Sequence, residues 1–185
     1  MKNCEQSVNQ SVLEHGISVK NYLFDLIDHL RIGTPLKYNW ALPDWLLANK
    51  EFILSELPDD KTLKLYTIFH DCGKPKCLTI DSDNKKHFTN HAEVSHKTFI
   101  EFSDNKIAAE LIKHDMDIHL LKSDGVNNFC QNPYAITLLL SGLAEIHSNA
   151  QMFGGLESTS FRIKKKSIFK RGKQIIEKIK TNYEN

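Results

Sequence analysis

Residues 68–75 read IFHDCGKP: an imidazole and a carboxylate side by side, then glycine, lysine and proline. The apolar run before them carries Leu63, Leu65, Ile68 and Phe69. Adjacent His70 and Asp71 offer two metal ligands at one point. Imidazole and carboxylate together suit first-row divalent cations. A carboxylate can also bridge two ions, the arrangement used in two-metal phosphoryl chemistry. The plainer reading is a helix end, with polar His70 and Asp71, a capping Gly73 and a blocking Pro75. The remaining histidines weigh between the two, since nine in 185 residues is many. His15 is expected mid-helix, one turn before Val19. His91 begins a helix after HFTN, and His114 ends one in LIKHD. Each lies beside an apolar helical face, where an unpaired imidazole is costly. Four helices that each turn one histidine inward, with Asp71 beside one of them, would form a cage for divalent ions.

The elements that must position this cage are helical. Val12, Val19, Leu23, Leu26, Ile27 and Leu30 recur at helical spacing, so residues 7–31 are expected as one long helix ended by Gly33 and Pro35. Asp44 is expected to cap a helix through Leu57, and residues 60–71 another. Residues 76–88 read as a loop or short hairpin. TNHAEVSHKTFIEF is helical, and a further helix starts at Ser103 or Asp104. NPYAITLLLSGLAEIHSNAQM is a long apolar helix with Pro133 in its first turn. The stretch from Phe153 to Lys164 breaks it and looks partly extended. A basic amphipathic helix follows. The expected class is all-α, a helical bundle with a small β element near the C-terminus. The chain reads as one domain, 1–185, with a core over about 7–150 and a C-terminal extension over 151–185.

Composition narrows the options. A chain of this length buries roughly 70% of its unfolded surface, enough for a sizeable core. The net charge of +1 argues against a surface steered to nucleic acid as a whole. The balance is uneven, because Arg162 to Lys180 holds nine Lys or Arg against one acid, Glu177. Cys4, Cys72, Cys77 and Cys130 form no CxxC pair, which disfavours a zinc ribbon. There is no apolar run of about 18 residues and no leader pattern, so a cytoplasmic chain with reduced thiols and no membrane partner is expected.

His15, His70-Asp71, His91 and His114, in that order and with HDCGKP at the pair, resemble the HD phosphohydrolase superfamily. The resemblance covers about residues 10–150. It implies a helical HD-domain bundle with a dinuclear centre of divalent transition metals (Mn²⁺, Co²⁺, Ni²⁺, Zn²⁺ or Fe²⁺). In that arrangement His15 and His114 serve opposite ions and Asp71 bridges them. The family closes its site with a late Asp on a long helix, and this chain has no Asp after Asp124. Glu145 or Asn149, four residues apart on one face of the long apolar helix, is the candidate replacement.

HD-type sites hydrolyse phosphomonoesters and phosphodiesters. In such a site Asp71 and Lys74 are the catalytic candidates, with Lys74 giving a fixed positive charge near a non-bridging oxygen. The alternative for Lys74 is a solvated helix-end lysine. HDCGKP followed by HFTNHAEVS looks like the HD region of tRNA nucleotidyltransferases. It looks closer still to the HD domain fused to polynucleotide kinase in bacterial RNA-repair enzymes, which removes 2′,3′-cyclic phosphates and 2′-phosphates from RNA ends. No GxxxxGK[ST] phosphate loop occurs here. The implied substrates are RNA ends or nucleotide phosphoesters. Ser158, Thr159, Ser160, Arg162 and Lys164 are candidate phosphate contacts. The other readings are a nucleotide phosphatase of different specificity, a mixed-valent di-iron oxygenase, and a degenerate HD domain that binds RNA or nucleotide without turnover.

Overall fold

The computed structural model describes residues 1–7, 9–152 and 154–183. It begins with β1 (Glu5–Ser7), β2 (Gln10–Ser11), α1 (Val12–Ile32), α2 (Asp44–Ala48) and α3 (Lys50–Ser55). Then come α4 (Asp60–Phe69), α5 (Lys74–Cys77), β3 (Leu78–Ile80), β4 (Lys86–Phe88) and α6 (His91–Ile100). The chain closes with α7 (Lys106–Lys113), α8 (Asp117–Leu120), α9 (Val126–Phe129), α10 (Ala135–Met152) and α11 (Thr159–Tyr183). The fold is all-α, with two antiparallel two-stranded hairpins. Two compact units divide it: Met1–Lys20 with Pro58–Met116, and Asn21–Leu57 with Asp117–Asn185.

In the first unit, α4 starts where Asp59 accepts hydrogen bonds from the Lys61 and Thr62 amides. α7 starts where Asn105 accepts from the Ala108 amide. Asn105 Nδ2 also donates to Thr62 Oγ1 at 2.9 Å, and Tyr66 donates to Asp115 at 2.6 Å. The first bond joins the starts of α4 and α7, the second their later parts. The two helices therefore run in the same direction, and His70 and His114 cap the same end of the pair. Leu63, Tyr66, Phe99, Leu111 and Ile112 are buried with at most 1% exposure. Gly16 in α1 meets the α4 backbone: a Cβ there would overlap the Ile68 carbonyl. That close approach brings the first turn of α1 beside the end of α4.

In the second unit, α10 packs on α11 and α8, and α11 packs on α9. Trp45 Nε1 donates to the Phe169 carbonyl at 2.9 Å, and its ring lies against Gly172 of α11. Buried Asp25 gathers the segment after α1, accepting from the Lys37 and Tyr38 amides and from Trp40 Nε1.

Several elements differ from the sequence expectation. The first helix begins at Val12 because β1 and β2 pair before it, so His15 lies in its first turn rather than mid-helix. The segment from Asp44 to Leu57 forms two short helices broken at Asn49. Residues 76–88 do include a hairpin, in register Leu78↔Phe88 and Ile80↔Lys86. Pro133 precedes α10 instead of lying in its first turn. Among the described residues no strand follows Phe88. The expected extended stretch begins at Phe153, which lies outside the described residues; from Thr159 onward the chain is helical, so the small β elements sit near the N-terminus and at 78–88. No helix among the described residues is long and apolar enough to cross a membrane.

Gly16→Ala tests the α1–α4 approach. The added methyl meets backbone, which cannot rotate away. A loss of about 1–3 kcal/mol in unfolding free energy is expected, read as a lower urea midpoint at unchanged slope. Alanine normally favours a helix interior over glycine, so an unchanged or raised midpoint would refute the close approach.

Candidate metal centre

Four of the expected ligands meet within the first unit. Asp71 is 1% exposed and follows the α4 cap residue His70. His70 Nε2 lies 3.2 Å from Asp71 Oδ2, and His15 Nε2 lies 3.7 Å from the same oxygen. His91 Nε2, from the first residue of α6, lies 3.6 Å from Oδ1. Asp71 Oδ1 is buried and accepts no hydrogen bond. The His15 and His70 ring centroids are 5.1 Å apart.

Backbone carbonyls orient two of these rings. The Thr67 carbonyl is 2.8 Å from His70 Nδ1, and the Phe88 carbonyl is 3.0 Å from His91 Nδ1. A carbonyl only accepts, so both Nδ1 atoms carry the proton. Nε2 of each ring then faces Asp71 and is the nitrogen left to bind a proton or a metal ion. Two ligand atoms on one ion at about 2.1 Å stand roughly 3.0–3.4 Å apart. The nitrogen–oxygen separations of 3.2–3.7 Å are close to that spacing. The residues therefore fit a divalent cation, and the two oxygens of Asp71 face different imidazoles, as a bridging carboxylate would.

Lys74 is part of the same group. It is 8% exposed, so it is not the solvated helix-end lysine of the plainer reading. Its ammonium donates to Asp71 Oδ2 at 2.6 Å and to Gln6 of β1 at 3.0 Å, and lies 5.3 Å from the Phe88 ring centre. Burial opposes ionisation of Asp71 most strongly. The His70 ring, by charge and by hydrogen bond, then the charges of Lys74 and His15, outweigh it and hold the carboxyl far below its usual range. The turn between them is fixed from α6: Ser95 Oγ accepts from the Gly73 amide at 3.0 Å, and the Cys72 thiol points at the Ser95 carbonyl. Gly73 has an ordinary φ of −83°. Its lack of a side chain is needed because a Cβ would overlap the Ser95 amide. Pro75 does not stop the chain either; it sits in the first turn of α5. Burial, with Asp71 beside it, pushes the Cys72 thiol up to about 12, so it is an inert packing group.

His114 caps the C-terminal end of α7, with Nε2 3.8 Å from Glu110. His29 Nδ1 lies 2.8 Å from the Thr34 carbonyl and secures the end of α1. In the second unit, Glu145 pairs with His119 at 2.8 Å. Asn149 lines a cavity of about 160 Å³ with Ser158, Ser160, Phe161 and Lys164, which joins three of the expected phosphate contacts to this candidate ligand. Thr159 and Arg162 lie beside it in sequence, with Arg162 ion-paired to Glu157. Gln6, Ser95 and Asp25 were not singled out from sequence. Ser95 had a readable signal, four residues after His91 on one face of α6. Gln6 had none.

His147 serves as a contrast. Its Nδ1 donates to the Leu143 carbonyl at 2.7 Å, and its Nε2 accepts from the Ala41 amide at 3.1 Å. Burial pushes it down to about 4. The unfolded chain takes up this proton near the ordinary value of 6.5, while the folded chain refuses it. Stability from this group is thus complete above about pH 6.5 and declines as the pH falls toward 4, by on the order of 3 kcal/mol. His147→Gln should flatten that part of the stability profile, measured by urea unfolding between pH 4 and 7. Parallel profiles for both proteins would show that His147 is not buried neutral. Comparison of the chain with family models, curated proteins and solved structures finds no match.

Proposed function

We propose that the protein is a metal-dependent phosphoesterase of the HD type, acting on phosphomonoesters and phosphodiesters. The substrates proposed are 2′,3′-cyclic phosphate and 2′-phosphate ends of RNA or nucleotides. The observation that carries this reading is the convergence of His15, His70 and His91 on both oxygens of buried Asp71, with Lys74 fixed beside them. This supports a divalent transition-metal ion held by His15, His70, Asp71 and His91; the second ion of the proposed pair would draw on His114, with Glu145 or Asn149. A bound ion would lower the pKa of its water toward about 7 and stabilise charge on the phosphoryl oxygens.

The chain's own groups do the rest. Thr67 and Phe88 carbonyls hold two imidazoles in one tautomer. Asp71 stays ionised. Lys74 carries its charge in a buried, two-point clamp, so it needs no reorganisation to meet a non-bridging oxygen. The same clamp motivates a second reading. An ammonium 2.6 Å from Asp71 Oδ2 already neutralises the carboxylate, as in a degenerate domain that binds no metal.

The experiment is a screen of 2′,3′-cyclic nucleotides and 2′- and 3′-monophosphates with Mn²⁺, Co²⁺ and Ni²⁺, with metal content measured in parallel. Asp71→Ala should lose both bound metal and turnover while its helical circular dichroism persists. Lys74→Ala should keep its metal and lose about 10²–10³ in kcat. Lys74→Arg should recover only part, since a planar guanidinium does not replace a compact ammonium. Full turnover by metal-replete Asp71→Ala would refute the bridging role. A parent protein with no bound metal and no turnover would favour the degenerate domain.

A further inference from the structure

We propose that the solvent face of α11 docks the phosphate backbone of single-stranded RNA. The inference does not depend on the chemistry assigned to Asp71. It begins with how charge is distributed. The chain has 24 basic and 23 acidic residues. Nine of the bases but one of the acids lie between Arg162 and Lys180, which leaves 15 bases against 22 acids elsewhere. A near-neutral protein therefore joins one strongly cationic helix to an otherwise anionic chain. A polyanion that the rest of the chain repels has one place to go.

Helical spacing sharpens this. Arg162, Lys166, Lys170, Lys173, Glu177 and Lys180 follow one another at intervals of four, four, three, four and three residues. They form one stripe about 27 Å long at about 1.5 Å per residue. All six are exposed. The opposite face, Phe161, Ile168, Ile175, Ile176 and Ile179, is buried. Within the stripe Arg162 pairs with Glu157, and Lys173 lies 3.9 Å from Glu177. Lys166 and Lys170 meet no acid among the described residues, nor do Lys164 and Lys178 on its flanks. Like charges repel at the Arg162–Lys166 and Lys166–Lys170 steps, four residues apart on one face. A bound row of phosphates would relieve that cost.

The partner's chemistry follows from what the face lacks. A membrane-seeking helix needs its apolar side free to enter lipid, whereas here that side is already buried. The stripe carries no amide to read a base edge, and the exposed aromatic in line with it, Tyr183 one turn beyond Lys180, donates its hydroxyl to Glu56, so contact would be chiefly with backbone and independent of sequence. A straight, narrow row suits a flexible single strand, which can follow it, better than a duplex, whose phosphates diverge around its axis.

The test uses the full chain, a fluorescein-labelled twelve-nucleotide oligo-uridylate and EDTA to prevent turnover, read by anisotropy across a salt series. Each phosphate neutralised on a single strand contributes about −0.7 to the slope of log K against log salt. A slope near −3 is expected. Lys166→Gln with Lys170→Gln should weaken binding at low salt at least tenfold and reduce the slope by about 1.4. Lys61→Gln with Lys85→Gln, both exposed in the first unit, should leave binding unchanged. The proposal is overturned if the parent does not bind, if both lysine pairs weaken binding equally, or if duplex RNA or phosphatidylserine vesicles bind more tightly than the single strand. Thermal unfolding of each variant checks that an exposed lysine-to-glutamine change has left the fold intact.

Discussion

A carboxylate at 1% exposure governs the architecture of the first unit. Taking such a charge out of water costs several kcal/mol unless partners repay it. Asp71 is held by the full charge of Lys74 and faced by the Nε2 atoms of three imidazoles. These partners come from α1, α5, α6 and the end of α4. Bringing four elements to one point without bulk between them demands close backbone approaches. Gly16 allows α1 to reach the Ile68 carbonyl, and Gly73 allows the turn to reach α6. Each glycine gives up helix propensity or chain entropy, roughly 0.5–1 kcal/mol relative to alanine. That is small against an uncompensated buried charge.

The same constraint separates Lys74 from the lysines of α11. A buried ammonium with two fixed acceptors has little freedom and a definite direction. An exposed lysine on α11 keeps its rotamer entropy and acts through charge alone. The protein uses one residue type for a precise local field and for a diffuse one, and burial decides which.

Much of the fold could be read in advance where local signals are strong. The long helices α1, α10 and α11 follow from apolar spacing, and Gly33, at a φ of +72°, ends the first as expected. Element starts were less legible. Nothing local reveals that residues before Val12 pair as strands, so His15 was placed mid-helix. Trp45 and Gly172 show the same limit, since their contact joins residues far apart in the chain. At the site, two residues of HDCGKP take structural parts other than those the sequence suggested. Gly73 was assigned a turn-making role and instead provides room for Ser95. Lys74 and Asp71 were read as separate functions, although their three-residue spacing already allowed the ion pair. Gln6 could not be read at all, because its role arises only when β1 lies over α5.

The histidines show what separates a ligand from a structural imidazole once the fold is known. His70, His91 and His147 all commit Nδ1 to a backbone carbonyl, at 2.8, 3.0 and 2.7 Å. Up to that point they are chemically alike, and burial or spacing cannot rank them. The difference lies at Nε2. In His147 that lone pair receives the Ala41 amide, so the ring is satisfied as a neutral group and has nothing left to offer. In His70 and His91 the same nitrogen faces a carboxylate oxygen of Asp71 instead. A positive charge between nitrogen and oxygen, either a proton on the ring or a metal ion, would satisfy both atoms, and His147 has no such position because both of its nitrogens are already committed.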